Sequence, residues 1–215
     1  MKLRDFPYLY ITWLSPLLAG ERSCEWAVWF KAHYSDFAKV ECGFDFAQWR
    51  RQHTALLNDT VERLKDTGQS VYIEEQNKFT WEGQVATLGG KADIVSVAPD
   101  LGRATVHDTK SGRPKDSDML QVQLYMWALP RAVERYKGLI FDGRVVYSDD
   151  EILIPANTIT DDWRRDVKAL ILRLAADHPA RKVPAPNECR WCDITLGDCP
   201  ERLDTPERVA ITDDF

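Results

Sequence analysis

Asp108 and Lys110 lie two residues apart in VHDTKSG, inside a short β-branched run. On a strand that spacing turns both side chains to one face while Thr109 points away. A carboxylate beside an ammonium is what metal-assisted phosphodiester hydrolysis needs. The carboxylate suits a hard cation such as Mg2+ or Mn2+, which would polarise the scissile phosphate and acidify a coordinated water. The lysine would orient that water or neutralise developing charge. Asp93, in GGKADIV, reaches the same cation if it ends the neighbouring strand. His53, in WRRQHTALL, is a candidate nitrogen ligand. Gln121 and Tyr125 are four apart and share one helix face, from which they can fix Lys110, contact a DNA phosphate or simply pack. Glu75 and its neighbour Glu74 are weaker candidates for the same cation, and nothing separates them.

Thiols form the second set. Cys189, Cys192 and Cys199 lie together in NECRWCDITLGDCP, and Cys24 lies alone in ERSCEWAVWF. If the two ends meet, one metal centre can hold the chain shut. Four thiolates suit an iron-sulfur cluster of the 4Fe-4S type and also suit zinc, although a common zinc ribbon shows two close pairs. Cys42, in VECGFD, reads as a structural thiol. Five cysteines leave one over in any disulfide scheme, so metal ligation in a reducing, cytoplasmic setting is expected.

These groups need elements to hold them. SPLLAGERSCEWAVWFKAHY and FDFAQWRRQHTALLNDTVERLKDTG carry apolar residues at mixed three- and four-residue spacing and predict helices, the second stopped by Gly68. SVYIEE, GKADIVSVA and RATVHDTK predict adjacent strands. SDMLQVQLYMWALPRAVERY predicts a helix that Pro130 bends or interrupts. GRVVYSDDEILIP predicts a hairpin turning near Asp149 and Asp150, and TDDWRRDVKALILRLAADH a helix capped by Thr160.

Length favours one domain. Hydrophobic residues at 44% and charged residues at 29% fit an ordinary soluble globular protein. No apolar run is long enough to cross a bilayer, and MKLRDFPYLYITW lacks the core of a secretory signal, so no membrane partner is expected. A net charge of -6 argues against coating nucleic acid through bulk charge, yet a carboxylate-built site is acidic until cations bind. Arg50, Arg51, Lys91, Arg113 and Lys115 can mark a local DNA path or a solvated surface. Among many tryptophans (Trp26, Trp29, Trp49, Trp81, Trp127, Trp163, Trp191) most should be core, and one or two can stack on unpaired bases. The acidic tail TDDF is expected to be solvated and mobile. No G-x-x-x-x-G-K-[ST] loop occurs, so any motor must come from a partner helicase.

The order His53, Gly90 to Asp93, Asp108 to Lys110, then Gln121 to Tyr125 resembles the PD-(D/E)xK nuclease superfamily, and within it the RecB-like iron-sulfur exonucleases associated with CRISPR loci. The resemblance covers nearly the whole chain. It implies an α/β, restriction-endonuclease-like core with a mixed central sheet flanked by helices. It also implies a single nuclease domain over 1–215, made of a helical part (1–68), a catalytic core (69–130), a hairpin and helix (131–183) and the cysteine segment with its tail (184–215). By resemblance, Mn2+ or Mg2+ is bound by His53, Asp93, Asp108 and the Thr109 carbonyl, Lys110 is catalytic, and Cys24, Cys189, Cys192 and Cys199 hold a 4Fe-4S cluster joining the N- and C-terminal segments. The gap between Cys192 and Cys199 is one residue longer than that family's usual spacing. The remote Cys24 favours iron-sulfur over zinc. DNA is the implied partner, with cleavage of single-stranded DNA or of DNA ends at 5'-to-3' polarity, although the residues do not set polarity. The context is a CRISPR integrase complex, or phage or chromosomal recombination. A non-catalytic DNA-binding scaffold and a homo-oligomer stay open.

Overall fold

The structure is a computed structural model that describes residues 1–40, 45–99 and 102–203. Cys42 and the TDDF tail lie outside the described residues. The chain begins with strands β1 (Lys2–Leu3) and β2 (Tyr8–Tyr10), helices α1 (Ile11–Leu18) and α2 (Glu25–His33), and strand β3 (Tyr34–Ser35). One helix is predicted over SPLLAGERSCEWAVWFKAHY and two are found. Gly20 adopts φ 69°, and its amide closes back on the Leu17 carbonyl at 3.1 Å, which ends α1.

Helix α3 (Phe46–Asp66) is the predicted second helix. The Asp45 carboxylate accepts from the Gln48 amide at 2.9 Å at its start, and Gly68 at φ 74° follows its end. Strands β4 (Ser70–Ile73), β5 (Lys78–Glu82), β6 (Thr87–Lys91), β7 (Ile94–Val97) and β8 (Arg103–Thr109) come next. Helix α4 (Asp116–Ala132) runs on two residues past Pro130 and ends short of the predicted Tyr136. The predicted hairpin is β9 (Ile140–Val146) and β10 (Glu151–Ile154). The Tyr147 amide donates to the Asp150 carbonyl at 2.9 Å across its turn. Helix α5 (Asp161–Ala175) is capped by Thr160, whose hydroxyl accepts from the Trp163 amide, and a short α6 (Pro186–Cys189) leads into the cysteines.

The central sheet has the order β10-β9-β8-β7-β4, with β8 and β9 parallel and the other pairs antiparallel. It is mixed, as expected, and helix α4 makes the long crossover that a parallel pair requires. GKADIVSVA does not form one strand. It divides at Ala92 and Asp93, with β6 joining β2 and β5 in a second, three-stranded sheet and β7 entering the central one. Gly89 and Gly90 permit close approach there. A Cβ at Gly89 would collide with the Tyr8 ring, and one at Gly90 would meet Phe79 Cζ at 2.8 Å and Tyr125 Cε1 at 2.9 Å.

Strand alternation separates the two faces. Val95 and Val106 join the main core, to which α4 contributes Val122, Leu124, Tyr125, Met126 and Leu129. Ile94 turns the other way, to Leu57 and Val61 of α3. Each such side chain stabilises the packing by about 1.5–3 kcal/mol on full burial, so α3 is held by a short apolar patch while α4 sits in the main core. Among the described residues, no helix is long and apolar enough to cross a membrane.

Candidate active site and thiol cavity

The end of β8 delivers side chains to both faces at once. On the α4 face, Asp108 Oδ2 and Lys110 Nζ are 2.6 Å apart. Gln121 of α4 joins them, its Nε2 donating to Asp108 Oδ1 at 3.0 Å and its Oε1 accepting from Lys110 Nζ at 3.3 Å. On the α3 face, the Thr109 amide and hydroxyl donate to Asp93 Oδ2 at 2.8 Å and 2.7 Å. His53 Nε2 lies 3.1 Å from the same oxygen and 3.1 Å from Thr109 Oγ1. Asp93 does not end a strand. It sits in the turn just before β7, and its carbonyl accepts from the Glu74 amide at 2.8 Å.

Both groups open on one cleft of about 900 Å³, lined also by Trp49, Arg50, Glu74, Lys91 and Lys115. The sequence-predicted residues His53, Asp93, Asp108, Thr109, Lys110, Gln121 and Tyr125 all line it. Arg51 and Arg113 do not. Tyr125 acts at one remove from the carboxylates, its hydroxyl donating to the Lys91 carbonyl at 3.0 Å and so bracing the chain that leads to Asp93. Thr109 meets Asp93 through its amide and hydroxyl, a contact that reasoning from a backbone carbonyl did not anticipate. Glu75 pairs with Lys78 and Lys91 outside the cleft, whereas Glu74, at φ 39°, lines it. The sequence did not point to Asp118. It is buried, and its Oδ2 accepts from Tyr147 OH at 2.9 Å and from the Lys115 amide at 3.1 Å, fixing the loop after Lys110.

Burial sets the electrostatics. It pushes the Asp108 carboxyl up to about 6, and the Lys110 charge only partly offsets this. For Lys110 burial works against the charge, but Asp108, together with Asp118 and Asp93, outweighs it and holds the ammonium above its ordinary value. Burial likewise opposes ionisation of Asp93, yet the His53 and Thr109 donors carry its carboxyl below the usual range. The hydrogen bond to Asp93 raises His53. The cleft floor thus favours a charged Lys110 and a charged Asp93 beside a carboxylate that is costly to ionise without a cation.

The donor chemistry fits a hard divalent ion: one imidazole, two carboxylates and nearby backbone oxygen. Asp108 Oδ2 is met by the Lys110 ammonium, and among the described residues the hydrogen bonds of Asp93 all fall on Oδ2, which leaves Asp93 Oδ1 for a ligand. Among the described residues, no group of three or more His, Cys, Asp or Glu side chains is arranged to hold a metal ion.

Cys24, Cys189, Cys192 and Cys199 line one small cavity of about 40 Å³, and none is in a disulfide. Arg22, Lys31, Lys182 and Arg202 line the same cavity. Its one acidic group, Glu188, accepts from the Ser23 and Cys24 amides at 2.8 Å and 3.1 Å. The Val183 amide donates to Cys24 Sγ at 3.5 Å. Burial raises the Cys192 and Cys199 thiols, and the Lys31 and Lys182 charges oppose this. Lys31 also pairs with Asp193 at 3.4 Å and Lys182 with Glu201 at 2.8 Å, so part of this positive charge is already matched.

The chain belongs to the PD-(D/E)XK nuclease superfamily, whose pattern it matches over residues 16–195. Members are nucleases and usually work with Mg2+ or Mn2+. No curated protein matches the chain. The crystal structure of SSO0001 is similar at 15% sequence identity and a TM-score of 0.44, over 94% of this chain and 91% of that one.

Proposed function

We propose that the protein is a DNA exonuclease that hydrolyses phosphodiester bonds with Mg2+ or Mn2+ held by His53, Asp93, Asp108 and the Thr109 carbonyl. The observation that carries this reading is the Asp108, Lys110 and Gln121 cluster on the cleft floor, with His53 and Asp93 beside it. When bound, the cation supplies Lewis acidity toward a phosphate oxygen and lowers the pKa of water. Lys110 places its ammonium where charge develops on the phosphate, and Gln121 fixes both the lysine and the carboxylate so that little reorganisation is needed. Arg50, Lys91 and Lys115 on the cleft walls offer phosphate contacts.

The four cysteines would hold a 4Fe-4S cluster that fastens residues near Cys24 to the 189–199 segment. The shared cavity and its four cations support thiolate ligation there. The pathway, whether CRISPR adaptation with an integrase complex or recombination with a separate helicase, belongs to the same proposal and rests on the motif resemblance alone, as does 5'-to-3' polarity.

The test is digestion of end-labelled single- and double-stranded DNA with Mn2+ or Mg2+ by wild type, Asp108→Ala and Lys110→Ala. Metal-dependent degradation that both variants lose establishes the nuclease, and the first label released gives polarity. A wild type that binds DNA and never cuts it refutes the reading.

A further inference from the structure

The geometry points to Trp49 as a stacking platform for an unpaired nucleobase on the wall of the catalytic cleft. For its chemistry this rests on the nuclease reading. Its structural basis is separate.

Trp49 is 40% exposed, yet it belongs to the wall of the catalytic cleft. One ring face stacks on His53, with centroids 5.0 Å apart and planes at 30°. Among the described residues it makes no other ring or cation contact. Gln52, one turn along the same helix face, is exposed and polar.

The other tryptophans are otherwise engaged. Trp26, Trp29 and Trp127 are buried, and Trp81 and Trp163 pack edge-on against Trp127. Trp13 meets Tyr10 and the Lys31 ammonium. Trp191 is 58% exposed but lies beyond α6, under the Arg190 guanidinium, and does not line the cleft.

Placement defines the ligand. His53 Nε2 is 3.1 Å from Asp93, so a base on the outer face of Trp49 is two side chains, Trp49 and His53, removed from that carboxylate. Lys91, Lys110 and Lys115 line the same cleft and can take the adjoining phosphates. In the interior of a duplex both faces of each base are already stacked. Only an unpaired or terminal base has a face to give, and stacking accepts any of the four bases.

The experiment measures binding of a labelled single strand roughly 12 nucleotides long, intact or with abasic sites, to the full chain with Ca2+ in place of Mg2+. Wild type should bind the intact strand about tenfold more tightly than the abasic one. Trp49→Ala should lose that advantage and bind both alike, and Trp49→Phe should restore most of it. If Trp49 only props His53, Trp49→Ala weakens both strands equally or neither, and the proposal is overturned. The two readings fail separately. Discrimination between strands without any cutting in Mg2+ or Mn2+ leaves the platform and removes the nuclease, whereas cutting without discrimination does the reverse.

Discussion

Gly90 and Tyr125 fit together with no room for a methyl group between them, since a Cβ on the glycine would lie 2.9 Å from the tyrosine ring. The glycine of one motif is thereby tied to the tyrosine of another, and both serve Asp93: Tyr125 OH holds the Lys91 carbonyl, and the chain then turns into the aspartate. Gly90→Ala should cost ~1–3 kcal/mol through overpacking against Phe79 and Tyr125. Chemical denaturation checks this, and Phe79→Leu in the same chain should recover part of the loss. An unchanged midpoint would mean that the rings can give way.

Gln121 touches both Asp108 and Lys110, so its removal should impair turnover more than affinity. Gln121→Ala is expected to lower kcat/KM by roughly 10–100-fold, mostly in kcat. Steady-state cleavage kinetics decide it, and a change confined to KM would assign Gln121 to substrate binding.

His107 is 3% exposed on the α3 face, with Nε2 2.9 Å from Ser96 Oγ. Burial drives its pKa from 6.5 down to about 4. Arg144 and Arg63 act in the same direction and Glu151 opposes them. Because the folded state holds the imidazole neutral, the unfolded chain binds more protons between those values, so stability is complete above pH 6.5 and falls as pH drops toward 4. The shift corresponds to ~3 kcal/mol over that window. The Asp108 carboxyl, raised to about 6, acts with the opposite sign over much of this window, so it is the margin of wild type over His107→Asn in melting curves, large at neutral pH, that should shrink as pH falls toward 4. Parallel curves would remove His107 as the source.

Cys24 and Cys189 should be equivalent in holding metal despite their distance in sequence. In anaerobically purified protein, Cys24→Ala is expected to lose bound iron as fully as Cys189→Ala and to melt at a similarly lowered temperature, because ligation adds to folding free energy. Metal analysis with calorimetry tests it. Full iron retention in Cys24→Ala would break the four-ligand centre.

Local periodicity carried the sequence reading furthest at Asp108 and Lys110. A repeat of two places alternate side chains whatever the fold does elsewhere, and the pair meets as expected. The Thr160 cap and the β9–β10 hairpin were legible for the same reason, since their partners are near neighbours. The division of GKADIVSVA was not. It depends on β6 pairing in parallel with β2, seventy-nine residues away at Tyr8 and Thr87, and on Tyr8 covering Gly89. Asp118 was hidden likewise, because its partner Tyr147 arrives from another element. Trp49 could be named as one candidate among several, but only exposure and position set it apart.

The amide of Trp26 donates to the Arg181 carbonyl at 3.0 Å, and Glu188 receives the Ser23 and Cys24 amides. Every residue of the catalytic floor is translated by Tyr125, yet the contacts that fasten the start of α2 come more than fifty residues later. A polypeptide still emerging from the ribosome therefore carries a full complement of nuclease side chains on an unclosed scaffold. Interrupted synthesis would release fragments that keep those side chains and lack this closure.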